Sequence, residues 1–239
     1  MKTTDIDYSV GGTKYIGYLA VDEARPGKRP GVLLGPEGPG LGDLCKSFAR
    51  KLADLGYVAY AMDFHGEGKV LEPPEAGART QAFRANPQAI RDIASTALAV
   101  LKSQPQTDTA RIAAIGYCFG GTAALELARS GADLKAVVGF HSGLSTIRPQ
   151  DAANIKAKIL VNIGAEDPVI PKEQRIAFEQ EMTAAKVDWQ LNLFGGAGHA
   201  FTNPDVARFG LSGFVYHEPS ARRSWTAMLD LFNEVFGKV

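Results

Sequence analysis

The chain has 239 residues, 45% hydrophobic and 22% charged, with 26 Lys and Arg balancing 26 Asp and Glu. That length suits one domain able to bury roughly 70–75% of the surface its unfolded chain exposes. The balanced charge offers no global basic field to a nucleic acid, and runs such as Ile159-Leu160-Val161 fall far short of a membrane span.

Met1 to Val10 carries Asp5 and Asp7 and has no apolar core, so no secretory signal is expected. Two cysteines, Cys45 and Cys118, leave no disulfide framework and no thiolate zinc cluster. The expectation is a soluble cytoplasmic protein with free thiols.

No linker or internal repeat divides residues 1–239, which read as a single domain. Ile6 to Val10 and Tyr15 to Val21 read as a hairpin across Gly11-Gly12. Gly31 to Gly35 is a short buried strand. The helix from Leu44 to Leu55 has Asp43 as its expected N-cap and Gly56 just past its end. Tyr57 to Met62 is a strand, and Phe64 to Thr80 reads as a Gly- and Pro-rich loop. A helix from Pro87 to Lys102 places Ile90, Ile93, Ala97, Leu98 and Leu101 on one face.

Arg111 to Ile115 is a strand, followed by a small-residue helix from Phe119 to Ala128. Ala136 to Phe140 and Lys158 to Ile163 are buried strands. Glu173 to Ala184 is helical, Val187 to Phe194 is a strand, and Ser220 to Phe236 is an amphipathic helix with Gly237 beyond it. Its apolar face is Trp225, Met228, Leu229, Phe232 and Val235. Roughly eight strands with interposed helices predict an α/β fold, a mostly parallel sheet covered on both faces.

Chemistry concentrates at Gly116-Tyr117-Cys118-Phe119-Gly120-Gly121, between a predicted strand and a predicted helix. This is the G-x-S-x-G nucleophile elbow with Cys in place of Ser. The turn is so tight that side chains two residues either side of the nucleophile must vanish. The following helix aims its N-terminus at the sulfur, which favours thiolate and supplies amide donors. The plain alternative is that Cys118 is a small buried hydrophobe.

Two partners fall just past later strands. Asp167 lies in Gly164-Ala165-Glu166-Asp167-Pro168 and His199 in Gly198-His199-Ala200-Phe201, where parallel sheets place ligands. The order nucleophile, acid, base is that of α/β-hydrolases. Glu166 is a direct rival for the acid, with its side chain expected to point away if Asp167 points inward. Taken singly, Asp167 could cap a helix and His199 could be a loop histidine.

His65 and His141 also follow strands, but no acid is placed beside either by topology. His217 reads as a surface or helix-start residue, and Cys45 as core packing. Pro36-Glu37-Gly38-Pro39-Gly40 stands where a second oxyanion donor is usual, so the N–H of Gly38 could pair with that of Phe119. Glu37 could cap the next helix or pair with an arginine. Alternatively, it accepts a hydrogen bond from the Cys118 thiol and controls its ionisation. Gly38, Gly40 and Gly42, with Asp63 further on, faintly resemble a dinucleotide fingerprint, but the third glycine is misplaced and Pro39 interrupts the turn.

The combination of Pro36-Glu37, the Tyr-Cys-Phe-Gly-Gly elbow, Gly164-x-x-Asp167 and Gly198-His199-x-Phe201 resembles the dienelactone hydrolase (carboxymethylenebutenolidase) family of α/β-hydrolases, over almost the whole chain. The resemblance implies an α/β-hydrolase fold without a large cap, and hydrolysis of lactones or esters by a Cys-His-Asp triad. It also implies a glutamate, here Glu37, touching the resting cysteine until substrate arrives. Family members that open dienelactone grip its carboxylate with arginines. Here Asn203 stands where one would be, Arg208 comes later, and Arg79 or Arg84 could supply the other. A broader ester or lactone preference is therefore as open as dienelactone itself.

The expected protein is a cofactor- and metal-independent hydrolase acting on a small ester or lactone, as a monomer or small homo-oligomer, without nucleic-acid or membrane partners. The rival readings are a nucleotide-dependent oxidoreductase and a catalytically silent binding protein on the same scaffold.

Overall fold

A computed structural model describes residues 1–238. One eight-stranded sheet runs in the order β1-β2-β4-β3-β5-β6-β7-β8. The hairpin β1 (Lys2–Val10) and β2 (Thr13–Val21) turns at Gly11 and Gly12, both at positive φ, as a two-residue turn matched to strand twist requires. β2 lies antiparallel to β4 (Val58–Ala61). From β4 the sheet continues in parallel through β3 (Arg29–Gly35), β5 (Thr107–Tyr117), β6 (Ala136–Phe140), β7 (Lys158–Gly164) and β8 (Trp189–Phe194).

Alternation along the strands builds two cores. Leu33, Ile112 and Ala114 face helices α3 (Pro87–Ser103), α4 (Phe119–Arg129) and α5 (Lys172–Ala184). Val32, Leu34, Ala113 and Ile115 face α1 (Asp43–Asp54) and α6 (Glu218–Phe236). α4 is buried along its whole length, and its one long cation, Arg129, is paired with Glu126 and with Glu181 of α5. Removing either acid would leave a buried guanidinium partly unpaired, so this contact fixes α4 rigidly.

Two expectations are corrected. Residues 73–80, read as loop, belong to helix α2 (Pro73–Ala85), which buries only Ala76, Thr80 and Phe83. Its signal is masked by Pro73-Pro74 and Gly77, although proline is at home in a first helical turn. Asp43 is not the N-cap of α1: Gly42 is, without a side-chain bond, and Asp43 sits in the first turn, where it favours the helix dipole. On α6 the expected apolar residues meet the second core: Met228 and Phe232 are buried, and Trp225, Leu229 and Val235 pack against it, with Ser220, Ser224 and Phe236 extending the buried stripe.

The start of α4 touches the sheet backbone. A Cβ on Gly120 would lie 2.1 Å from the carbonyl oxygen of Gly35, and one on Gly116 would lie 2.1 Å from Gly120. Gly77, inside α2, has open space around it. Gly120→Ala is thus expected to destabilise the protein by about 3 kcal/mol or more, as backbone overpacking does. Gly77→Ala should stabilise it by about 0.5–1 kcal/mol. Urea unfolding of the two variants reads the opposite signs.

Candidate active site

Cys118 stands between β5 and α4, as the N-cap of α4, with φ 51° and ψ −118°, a positive-φ conformation that a side chain adopts only when its surroundings impose it. Its N–H donates to Phe140 O at 2.9 Å, and the glycines on either side let the chain turn. The sulfur is left partly accessible at the C-terminal rim of the sheet, whereas Cys45 is buried in α1 with its thiol pushed up by desolvation.

His199 lies between sulfur and carboxylate. Its Nδ1 is 2.8 Å from Asp167 Oδ2, and its Nε2 is 3.1 Å from Cys118 Sγ. Asp167 holds its own position by accepting the N–H groups of Val169 (2.8 Å) and Ile170 (3.2 Å) at Oδ1. Burial works against a charge on His199. Negative charge at the Cys118 sulfur, and then the Asp167 bond, outweigh it and raise the imidazole pKa. Glu166 points away and accepts the Gly196 N–H instead.

His199 itself is fixed by its backbone. Its N–H donates to Gly213 O, and its carbonyl accepts the N–H of Val215. Edge-on to it lies His141, buried and kept neutral by desolvation and by the nearby imidazole of His199, with Nε2 2.8 Å from Thr202 Oγ1. Asp167 and His199 follow β7 and β8, whose hydrogen-bonded register brings the two loops together.

No acceptor among the described residues takes the N–H of Phe119 or of Gly38. Both amides belong to the rim around Cys118, one at the first turn of α4 and the other in the loop after β3. Glu37 departs from expectation. Its Oε2 accepts from Asn203 Nδ2 at 2.8 Å, and the thiol is engaged by His199 rather than by Glu37. It does not cap α1. The residue keeps some contact with solvent, yet protein atoms crowd its carboxylate. Desolvation raises its pKa to about 7 against the lowering influences of Asn203, His199 and Arg208.

Cys118, His199, Glu37 and Asn203 open into a cavity of about 250 Å³. Its walls come from α2 (Pro73, Ala76, Thr80) and from Val206, Phe209, Leu211 and Phe214, and no Lys or Arg lines it among the described residues. Neither wall carries a clear sequence signal: α2 opens with Pro73-Pro74 and contains Gly77, and residues 205–215 carry no periodicity. Two larger hollows, about 480 and 450 Å³, contain neither Cys118 nor His199.

Neither Arg79 nor Arg84 lines the cavity. Arg79 makes a long hydrogen bond to His65 O and lies over the Phe83 ring, while Arg84 reaches Thr80 Oγ1 and lies over the Phe119 ring. Asn203, which does line the cavity, bonds Glu37. Asp63, the acid of the dinucleotide reading, is buried and accepts the amides of Ile16, His65, Gly66 and Gly68, so it has no free face for a ribose. Among the described residues no helix is long and apolar enough to cross a membrane.

The parallel sheet and the elbow between β5 and α4 define an α/β-hydrolase. The family profile described as "Dienelactone hydrolase family" matches residues 16–236, and the chain belongs to that family; by family it is a lactone or ester hydrolase. Similar solved structures include one named m3DLH, 46% identical, with a TM-score of 0.95 and 98% of each chain covered. Another is a dienelactone hydrolase-like promiscuous phosphotriesterase, P91, from metagenomic libraries, 42% identical with a TM-score of 0.95 over 99% of each chain. A probable 2-oxo-3-(5-oxofuran-2-ylidene)propanoate lactonase of Bradyrhizobium is 29% identical over 212 residues, 82% of each chain.

The raised pKa of Glu37 has a thermodynamic sign. Its neutral form is the better fit to the fold, so its contribution to stability is complete below about pH 4.5 and is lost as pH rises towards 7. Glu37→Gln should remove that loss and be more stable than wild type above pH 7, by on the order of 1–3 kcal/mol. Thermal unfolding of both proteins at pH 4.5 and 8 measures the difference.

Proposed function

We propose that the protein hydrolyses uncharged, apolar esters or lactones through an acyl-cysteine intermediate. The observation that carries this reading is His199, set between the Asp167 carboxylate and the Cys118 sulfur at 2.8 and 3.1 Å.

In the first half-reaction Sγ attacks the carbonyl carbon while its proton resides on His199 Nε2. The Nδ1–H remains on Asp167, which orients the ring and stabilises the imidazolium. The N–H groups of Phe119 and Gly38 receive the oxyanion. The tetrahedral species collapses, the C–O bond breaks, and His199 Nε2 protonates the departing alcohol oxygen. In the second half His199 takes a proton from water, whose oxygen attacks the thioester. The C–S bond then breaks, giving the carboxylic acid and the free thiol.

The cavity supports an uncharged substrate, because no Lys or Arg lines it and its one basic group, His199, is already engaged by Asp167 and Cys118. Glu37 gives this site a neighbour that titrates near neutrality, and its ionised form favours the His199 imidazolium. A second reading is favoured by the same lining together with the 42%-identical phosphotriesterase: an uncharged phosphotriester fits where a carboxylate does not.

Kinetics with a p-nitrophenyl ester and an aryl phosphotriester test both readings. Cys118→Ala should abolish turnover. Asp167→Asn should lower kcat by about 10²–10⁴ without loss of fold, by favouring the wrong imidazole tautomer, and Glu166→Gln should change it only a few-fold. Limited alkylation should label Cys118 before Cys45. Turnover that survives Cys118→Ala would overturn the mechanism.

A further inference from the structure

The two oxyanion donors differ in how they are held. The Phe119 amide belongs to the first turn of a fully buried helix, whereas the Gly38 amide sits in an irregular loop between β3 and α1. A loop donor stabilises an oxyanion only if its direction is set before the charge develops.

Two contacts set it. The peptide plane that carries the Gly38 N–H also carries the Glu37 carbonyl, which accepts from Gly40 N at 2.9 Å and closes a tight turn. On the other side of Gly38, its own carbonyl lies 2.8 Å from His65 Nε2. A carbonyl can only accept, so Nε2 carries the proton. Burial disfavours a charged ring, and Nδ1 is buried without a partner, which leaves His65 as the neutral Nε2–H tautomer.

His65 is itself held hard. Asp63 takes the N–H groups of His65, Gly66 and Gly68 at 2.8–3.0 Å, and that of Ile16 at 3.1 Å, folding the segment after β4 into a clasp. The ring packs against Phe64, and a Cβ on Gly40 would lie 2.9 Å from its Cδ2, so imidazole and turn are pressed together. The Asp63 clasp thus reaches the oxyanion rim through one hydrogen bond.

We propose that His65 is a positioning residue for the hydrolytic reaction, aiming the Gly38 amide at the oxyanion by holding the Gly38 carbonyl. This rests on the acyl-cysteine reading above. It separates acyl transfer from alkylation of the same sulfur. Attack on an ester creates an oxyanion, whereas displacement of iodide from iodoacetamide does not.

His65→Leu should therefore lower kcat for a p-nitrophenyl ester about 10–100-fold with KM within about threefold, less than outright loss of a donor. The rate of Cys118 alkylation by iodoacetamide should stay within about twofold of wild type. His65→Gln, whose amide N–H₂ reaches a similar distance, should recover most of kcat. If the leucine variant does not fold, His65→Asn, too short to reach the carbonyl, takes its place. The proposal is overturned if ester turnover is unchanged, if turnover and alkylation fall together, or if glutamine performs no better than leucine or asparagine. Failure of the acyl-cysteine reading looks different: turnover would persist in Cys118→Ala whatever stands at position 65.

Discussion

The site depends on backbone meeting backbone. Gly35 at the end of β3, Gly116 near the end of β5 and Gly120 in the first turn of α4 approach so closely that no side chain fits between them. Only this approach lets the chain reverse at Cys118 in a conformation ordinarily left to glycine. The strain is supported by what surrounds it: α4 is buried throughout and tied by Arg129 to α5, so it has nowhere to relax. A partly accessible sulfur on a tightly packed corner is the outcome, with an amide of the same corner beside it.

Around that corner the polar groups form a graded series. Asp167 has both carboxylate oxygens occupied, His199 one bond to each side, and Glu37 a single amide partner in a crowded place. Asp167 is held in place by these bonds, whereas desolvation of Glu37 brings its titration close to neutral pH. The thiol engages the histidine, and the glutamate at the edge interacts electrostatically with that histidine.

Much of this was legible in the chain. A turn with glycine at both neighbouring corners admits few structures, and apolar runs of strand length point to the sheet. Asp167 and His199 followed from their places after β7 and β8. What was not legible had physical reasons. α2 buries three residues and opens with two prolines, so neither periodicity nor propensity marked it. The direction of Arg79 and Arg84 is set by aromatic rings from distant segments. That Glu37 bonds Asn203, 166 residues away, follows from tertiary packing that no local pattern encodes.

The lining of the small cavity bears on how a product would leave. On the proposed reading an uncharged substrate would meet a chamber of Val206, Phe209, Leu211 and Phe214 at little electrostatic cost. Its hydrolysis would leave an acid that ionises in neutral water, and a carboxylate kept in that chamber would find no Lys or Arg and would face Glu37. The same walls that suit such a reactant would suit its product less. The chemistry itself would then supply a change in partition that helps to clear the way for the next molecule.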